Sequence, residues 1–96
     1  MNLGRAIRVI RAQRGLRQDE LAGAAGLSPS YVSLIERGKR EPSLVIVRKL
    51  ASALGVPVDL VMVLAIEPKD SGSVSAADVR RLAEKLLRLA VVADGV

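Results

Sequence analysis

Apolar residues recur at intervals of three and four along almost the whole chain, and this spacing most constrains the fold. It places apolar side chains on one face of an α-helix, whereas no segment shows the alternation that a β-strand requires. The apolar positions of the five predicted helices are Leu3, Ile7 and Ile10; Leu21, Ala22 and Ala25; Val32 and Ile35; Leu44, Val47, Leu50, Ala51 and Leu54; Val58, Val61 and Met62. The pattern therefore predicts an all-α fold.

Glycine and serine mark the ends of the predicted helices. The glycines that end the first four helices are Gly15, Gly26, Gly38 and Gly55. Ser28 is predicted to cap the third helix, with Pro29 in the first helical position, where a missing N–H carries no cost. Ser43 is predicted to cap the fourth helix, and the fifth should run over about residues 57–66.

The composition excludes several classes of function. The 96 residues contain neither cysteine nor histidine, which excludes disulfides, thiolate metal sites and the commonest catalytic base. No cluster of carboxylates replaces them, so we expect neither an enzyme nor a protein that binds a metal or cofactor. Basic residues outnumber acidic residues by 15 to 10, a modest excess whose position matters more than its size.

The chain divides into two helical parts. Residues 67–75, EPKDSGSVS, have the composition of a linker, which separates a domain of residues 1–66 from a C-terminal helix of residues 76–96. The first 15 residues carry arginines among their apolar positions, unlike a signal peptide. The apolar stretch 56–66 is too short to span a bilayer. We expect a soluble cytoplasmic protein.

Three signatures within the chain point to one family when they are taken together. They are RGLRQDELA at residues 14–22, YVSLIERGKREPS at 31–43 and LASALGV at 50–56. The segment 7–56 resembles the Cro/C1-type (Xre) helix-turn-helix repressors throughout. The resemblance implies an all-α, five-helix lambda-repressor-like DNA-binding domain with an additional C-terminal helix. It also implies a sequence-specific transcriptional regulator that binds double-stranded DNA.

The resemblance assigns DNA contacts to the third helix. The base-reading positions of the family fall on Pro29, Ser30, Ser33 and Leu34, beside Ser28 at the cap. Short serines let the backbone approach base edges, but none of these side chains makes a bidentate contact with guanine or adenine. Leu34 could contact a thymine methyl, and we expect part of the specificity to come from DNA shape. Tyr31, the single aromatic residue, either contacts DNA or packs as a rim residue on the second helix.

Basic residues after the third helix match positions where the family binds phosphates. They are Arg37, Lys39 and Arg40, joined by Gln18 at the start of the second helix, and the alternative is a solvated loop. Arg17 stands where the family usually has a serine or threonine cap. Its cation at the positive end of the helix dipole costs about 1 kcal/mol, which Asp19 and Glu20 offset in part. We therefore predict an extra contact between Arg17 and the DNA backbone.

The resemblance also pairs Glu36 with Arg11 of the first helix. We interpret this buried or half-buried ion pair as scaffold that holds the third helix to the first. Neither residue is predicted to read DNA.

Apolar surface beyond the core predicts a second partner surface. Leu60, Val63 and Leu64 are predicted to face outward, and a heptad-spaced seam follows the last helix through Val79, Leu82, Leu86 and Leu89. This surface suits a homodimer that represses by reading two half-sites of a palindromic operator, about 34 Å apart. The alternatives are packing within one chain and binding of another protein, as in an antitoxin or a partner-dependent regulator.

Overall fold

Five helices joined by short connections form the first two thirds of the chain. In the computed structural model they are α1 (Leu3–Gln13), α2 (Gln18–Ala25), α3 (Pro29–Glu36), α4 (Leu44–Leu54) and α5 (Val58–Ala65). The structure describes residues 1–67 and, beyond them, residues 80, 81, 83–85, 87 and 88, which are helical. No residue in these ranges lies in a β-strand, so the predicted all-α fold is confirmed.

An aliphatic core holds the helices together. α1 packs against α3, α4 and α5, while α2 packs against α3 and α4. The largest fully buried side chains are Ile7, Leu21, Val32, Ile35, Val47, Leu50, Leu60 and Val61. Burial of a side chain of this size typically contributes ~1.5–3 kcal/mol. The α2–α3 pair is therefore fixed from its inward side by apolar contact with α1 and α4.

The predicted caps and glycine stops are present. Ser28 Oγ accepts a hydrogen bond from the backbone N–H of Tyr31 at 3.1 Å, and Ser43 Oγ accepts one from Ile46 at 3.3 Å. The glycines that follow the first four helices all have positive φ, a conformation that favours glycine. Local sequence signals therefore account for where α3 and α4 begin and where the first four helices stop.

The start of α1 is fixed by a residue that the sequence pattern did not reveal. Asn2 Oδ1 accepts from the backbone N–H of Arg5 at 2.9 Å and so caps the helix. The backbone N–H of Asn2 donates to the carbonyl of Ala65 at 2.6 Å. The beginning of α1 is thereby joined to the end of α5.

One residue of α4 lies on the opposite side from its prediction. Leu44, predicted to face inward, is 54% exposed, because it begins the helix and the buried residues of α4 start one turn later at Val47. Its neighbour Val45 is 63% exposed. The first turn of α4 therefore presents two adjacent apolar side chains to solvent.

The inward side of α5 is wider than predicted, because Val58, Val61 and Met62 contact the core as expected and further residues join them. Leu60, predicted as an outward interface residue, has no exposed surface, so that placement is wrong. Leu60, Val61 and Ala65 form the buried side of the helix. Val63 and Leu64 are half-buried. The cause of the error is that α5 is apolar on nearly all sides, so its period does not select one face.

The predicted linker and seam lie largely outside the described residues. These are residues 68–75 of the linker, and Val79, Leu82, Leu86 and Leu89 of the seam. Within the described part of the C-terminal helix, Ala83 is buried. Leu87 lines a cleft of about 560 Å³ together with Val9, Val56 and Leu64. One apolar residue of this helix thus lies beside α1 and α5 of the same chain.

Candidate nucleic-acid interface

A tight connection sets α3 against α2. α2 ends at Gly26, which has a left-handed φ of 70°. The backbone N–H of Leu27 then donates a hydrogen bond to the carbonyl of Ala22 at 2.9 Å, and its side chain packs against the core. Ser28 follows directly as the cap of α3. The sequence therefore builds two helices joined by a short turn, with α3 as the second helix.

α3 has one buried side and one accessible side. The buried residues, which pack toward α1 and α2, are Val32, Ile35 and Glu36. The predicted base-reading residues are accessible: Pro29 and Ser30 are exposed, and Ser33 and Leu34 are half-buried. Their spacing along the helix brings them to one side of it. The accessible side is therefore the one to which the family resemblance assigned base contacts.

The chemistry of this accessible side is limited to hydroxyls and apolar groups. Ser28 is exposed, and its oxygen already accepts the Tyr31 backbone N–H, which leaves the hydroxyl hydrogen as a donor. The hydroxyls of Ser30 and Ser33 can each donate one hydrogen bond and accept up to two. Short side chains such as these allow the helix backbone to come close to a base edge or a phosphate.

Three polar side chains meet behind α3. The Glu36 carboxylate accepts from Arg11 Nε at 2.7 Å and from Arg11 Nη2 at 2.9 Å, so the structure contains the predicted ion pair. Gln18 Nε2 donates to the same carboxylate at 3.1 Å, and Arg11 Nη1 donates to the Leu16 carbonyl at 2.8 Å. The hydrogen bonds with Glu36, and its negative charge, raise the pKa of the Arg11 guanidinium. We call Arg11, Gln18 and Glu36 the polar clasp, since one carboxylate joins α1, α2 and α3.

The clasp is well shielded from water. The side chain of Glu36 is 2% exposed and that of Arg11 is 17% exposed. The negative charge of Glu36 is therefore turned away from the accessible side of α3 and compensated by Arg11. The carboxylate that stands two residues after the last predicted base-reading position therefore adds little negative charge to the accessible side.

The bond from Gln18 to Glu36 was not expected from the sequence. The sequence assigned Gln18 to a phosphate contact, but the side chain is half-buried and uses one amide N–H on Glu36. The second N–H of the Gln18 side-chain amide is the donor that would bind a phosphate. A glutamine at a helix start gives no sign of a partner 18 positions away, so only the packing of α2 on α3 reveals it.

Arg17 precedes α2 and is held by two carboxylates. Its side chain is 74% exposed and makes no cap, as predicted. Arg17 Nε donates to Asp19 Oδ1 at 3.1 Å, while the backbone N–H of Arg17 donates to Glu20 Oε1 at 2.9 Å. The hydrogen bond with Arg17 lowers the pKa of Asp19, and the same bond raises the pKa of Arg17. The offset expected from Asp19 and Glu20 is therefore made by direct contacts.

The basic segment after α3 lies at the end of the accessible side. Arg37, Lys39 and Arg40 are all exposed. The backbone N–H of Lys39 donates to the Leu34 carbonyl at 2.9 Å, so the segment folds back onto the last turn of α3. The three cations are thereby held close to the predicted base-reading residues.

Tyr31 connects the helix with this basic segment. Its ring is half-buried and packs against the core, as the rim interpretation expected. The guanidinium carbon of Arg40 lies 5.5 Å from the centroid of the same ring. The sequence analysis named both residues but missed their contact, because they are separated by the end of α3 and a turn.

A glycine allows α1 to lie directly on the end of α3. A Cβ at Gly4 would overlap the Ile35 carbonyl oxygen, and it would lie 3.3 Å from the Glu36 Cα. The sequence analysis did not single out this residue. A glycine inside a helical apolar pattern is nevertheless a signal of close backbone approach, since glycine costs ~1 kcal/mol in a helix.

Neither a metal site nor a membrane-spanning helix is found in the described part of the chain. In residues 1–67 and the few described residues after them, no group of three or more acidic side chains is arranged to hold a metal ion. In the same part of the chain, no helix has both the length and the apolar character needed to cross a membrane.

Comparison with protein families and curated proteins gives consistent matches. A family model described as helix-turn-helix matches residues 7–61. The chain is 45% identical over 58 residues to the HTH-type transcriptional regulator DdrOP3 of Deinococcus deserti, a match that covers 60% of this chain but only 45% of that protein. It is 32% identical over 100 residues to the immunity repressor protein of Bacillus phage phi105, covering all of this chain and 69% of the repressor.

Proteins of known structure that have a similar fold are also regulators. The restriction-modification controller protein C.AhdI of Aeromonas hydrophila aligns with a TM-score of 0.59 at 43% identity, covering 60% of this chain and 88% of that chain. The clp gene regulator ClgR of Corynebacterium glutamicum aligns with a TM-score of 0.65 at 34% identity, covering 92% of this chain and 85% of that chain.

Proposed function

This chain belongs to the Cro/C1-type helix-turn-helix family of DNA-binding transcriptional regulators, and we propose that it is a repressor that binds a palindromic operator as a homodimer. α3 enters the major groove, and the residues before and after it bind the flanking phosphates. Occupation of a promoter is sufficient for repression, so no catalytic step is needed.

One observation carries the proposal. The accessible side of α3 consists of small hydroxyl and apolar residues, and it ends at three exposed cations, Arg37, Lys39 and Arg40. The acidic residue nearest in sequence to the helix end, Glu36, is buried and paired with Arg11. A surface of this kind suits a polyanion whose groove must be approached closely.

Fluorescence anisotropy titration of the full chain tests this function. The probes are DNA from upstream of its own gene and a scrambled duplex of the same composition, each at several salt concentrations. We expect a preference of about 10³-fold or more for the first probe, with a steep dependence on salt. Equal and weak binding of both probes would contradict specific binding to this DNA.

A matched pair of variants tests the role of α3. Ser30→Glu adds a negative charge to the accessible side of α3, whereas Ser52→Glu adds the same charge to an exposed position near the end of α4. We expect Ser30→Glu to abolish specific binding and Ser52→Glu to retain most of it. Similar losses for both variants would argue for a general charge effect and against groove reading by α3.

The homodimer is supported by the apolar side chains of α5 that the core does not fully cover. Val63 and Leu64 are half-buried within one chain, and a second copy is the partner that a palindromic operator requires. Analytical ultracentrifugation of Val63→Lys should give a monomer. Val45→Lys, a charge-matched variant at a more exposed valine, should remain dimeric. A monomeric wild-type chain would contradict the homodimer.

A partner-dependent regulator is the second candidate, favoured by the first turn of α4. Leu44 and Val45 are adjacent and more than half exposed, which is more apolar surface than this helix needs for the core. The two candidates differ in the titration described above. High specific affinity of the purified chain alone favours the homodimeric repressor, whereas specificity that appears only with an added protein favours the partner.

A further inference from the structure

Tyr31 and Arg40 form a stacked pair at the edge of the candidate interface. The distance of 5.5 Å from guanidinium carbon to ring centroid lies within the range of ~6 Å over which an aromatic face attracts a cation. The ring is half-buried against the core, and the backbone N–H of Tyr31 is held by Ser28. A well-anchored ring therefore supports a long side chain that is otherwise exposed.

Arg40 differs from the arginines whose charge is already compensated. Arg11 is paired with Glu36, and Arg17 is paired with Asp19. Among the described residues, Arg40 makes no ion pair with a carboxylate, and its guanidinium lies over the Tyr31 ring. The ring restricts the side chain but leaves the positive charge available for an anion.

We propose that Tyr31 is a positioning residue for DNA binding, whose ring holds Arg40 as a preformed phosphate contact and whose hydroxyl is dispensable. This inference rests on the proposed function and deepens it. A guanidinium that is already oriented loses less side-chain freedom when it binds, so the same contact gives tighter binding. A carboxylate in place of the ring would orient Arg40 equally well but would neutralise it.

A double-mutant cycle on the full chain tests the inference. The variants are Tyr31→Phe, Tyr31→Leu, Arg40→Ala and the double variant Tyr31→Leu/Arg40→Ala. Leucine keeps apolar bulk in the half-buried position, and phenylalanine keeps the ring. Anisotropy is measured at low salt with a duplex of arbitrary sequence, because a phosphate contact does not require an operator, and with the upstream DNA.

Specific results are expected from the cycle. Tyr31→Phe should bind within about twofold of wild type, whereas Tyr31→Leu and Arg40→Ala should each weaken binding by about three- to tenfold. The double variant should bind no more weakly than Arg40→Ala. The slope of log affinity against log salt should fall by about 0.9 in Arg40→Ala, as for the loss of one phosphate contact.

Two outcomes would overturn the inference. Equal losses for Tyr31→Phe and Tyr31→Leu would assign the contact to the hydroxyl, and additive losses in the double variant would mean that the two residues act independently. A thermal unfolding midpoint of Tyr31→Leu close to that of wild type excludes a folding defect. In the free protein, the side-chain NMR signals of Arg40 should lose their ring-current shift in Tyr31→Leu but not in Tyr31→Phe.

The proposed function can fail separately. If wild type binds both duplexes equally but the cycle gives the expected coupling, the operator proposal fails and the role of Tyr31 stands. If wild type binds the upstream DNA specifically but the losses are additive, only the role of Tyr31 fails. Absence of binding to any duplex at low salt would overturn both.

Discussion

The eight residues of α3 are divided between a buried side and an accessible side, which have opposite roles. On the buried side, Ile35 receives the backbone of α1 at Gly4, and Glu36 is bonded to two other helices. On the accessible side, Ser30 is exposed and Ser33 is half-buried. The buried side therefore fixes the position of the helix, while substitutions on the accessible side leave its packing intact. Changes on the first should cost stability, and changes on the second should cost DNA binding.

The largest effect is expected from removal of the carboxylate in the polar clasp. Glu36→Ala leaves the poorly exposed Arg11 guanidinium without its counter-ion and Gln18 without its acceptor. Breaking a buried ion pair in this way typically costs ~3–5 kcal/mol, and we expect the free energy of unfolding to fall by about 3 kcal/mol. Urea unfolding measures it, with the exposed Glu41→Ala as the control. A loss below about 1 kcal/mol would contradict a stabilising clasp.

A second prediction compares two glycines in helices. Gly4→Ala forces a methyl group against the Ile35 carbonyl and should lower the free energy of unfolding by about 1–3 kcal/mol. Gly23→Ala in α2 has open space around it and should raise that free energy by ~0.5–1 kcal/mol. Thermal unfolding of the two variants shows whether each substitution raises or lowers stability. The same sign for both would contradict the close approach of α1 to α3.

A smaller effect is expected at the start of α2. Arg17→Ser supplies the missing cap and should raise the free energy of unfolding by about 1 kcal/mol, while affinity for DNA at low salt falls. The pKa of Asp19 should return toward its ordinary value, because Arg17 no longer donates to it. In wild type, the ionised Asp19 carboxylate contributes to the stability of the fold. This contribution is fully present above the ordinary pKa of an aspartate and is lost as the pH falls through the lowered pKa. NMR titration of the Asp19 carboxyl measures its pKa, and fluorescence anisotropy measures the affinity for DNA. An unchanged affinity would refute the contact between Arg17 and DNA.

The smallest effect on stability is expected in the basic segment. Lys39→Ala removes an exposed cation whose side chain is not part of the core, so the free energy of unfolding should change by less than ~0.5 kcal/mol. The slope of log affinity against log salt should nevertheless fall by about 0.9. Lys49→Ala, at a lysine of α4 that is also exposed, is the control and should keep the full slope. Identical slopes for both variants would remove Lys39 from the interface.

The sequence predicts those parts of the fold that local signals determine. Helical periodicity and the glycine and serine boundaries give the five helices within one or two residues, because caps and left-handed turns are local chemistry. The same reasoning fails for Leu60, since an apolar helix offers no contrast between its faces. It fails for Leu44 as well, because periodicity does not say in which turn the core contact begins.

The candidate site was only partly accessible from the sequence. The resemblance supplied the pairing of Arg11 with Glu36 and the positions on α3, neither of which follows from spacing alone. The contacts from Gln18 to Glu36 and from Arg40 to Tyr31 depend on how helices and turns pack in space. Gly4 carried a signal, since glycine is costly inside a helix, but its partner Ile35 could be identified only from the structure.

The backbone bond from Asn2 to Ala65 has a consequence for local opening of the molecule. An amide at the start of a helix normally exchanges its hydrogen with solvent quickly, because no intrahelical carbonyl protects it. Here the amide of Asn2 is protected by α5, at the far end of the five-helix segment. Its exchange rate therefore reports how often the start of α1 and the end of α5 separate, so a single resonance follows the opening of this junction.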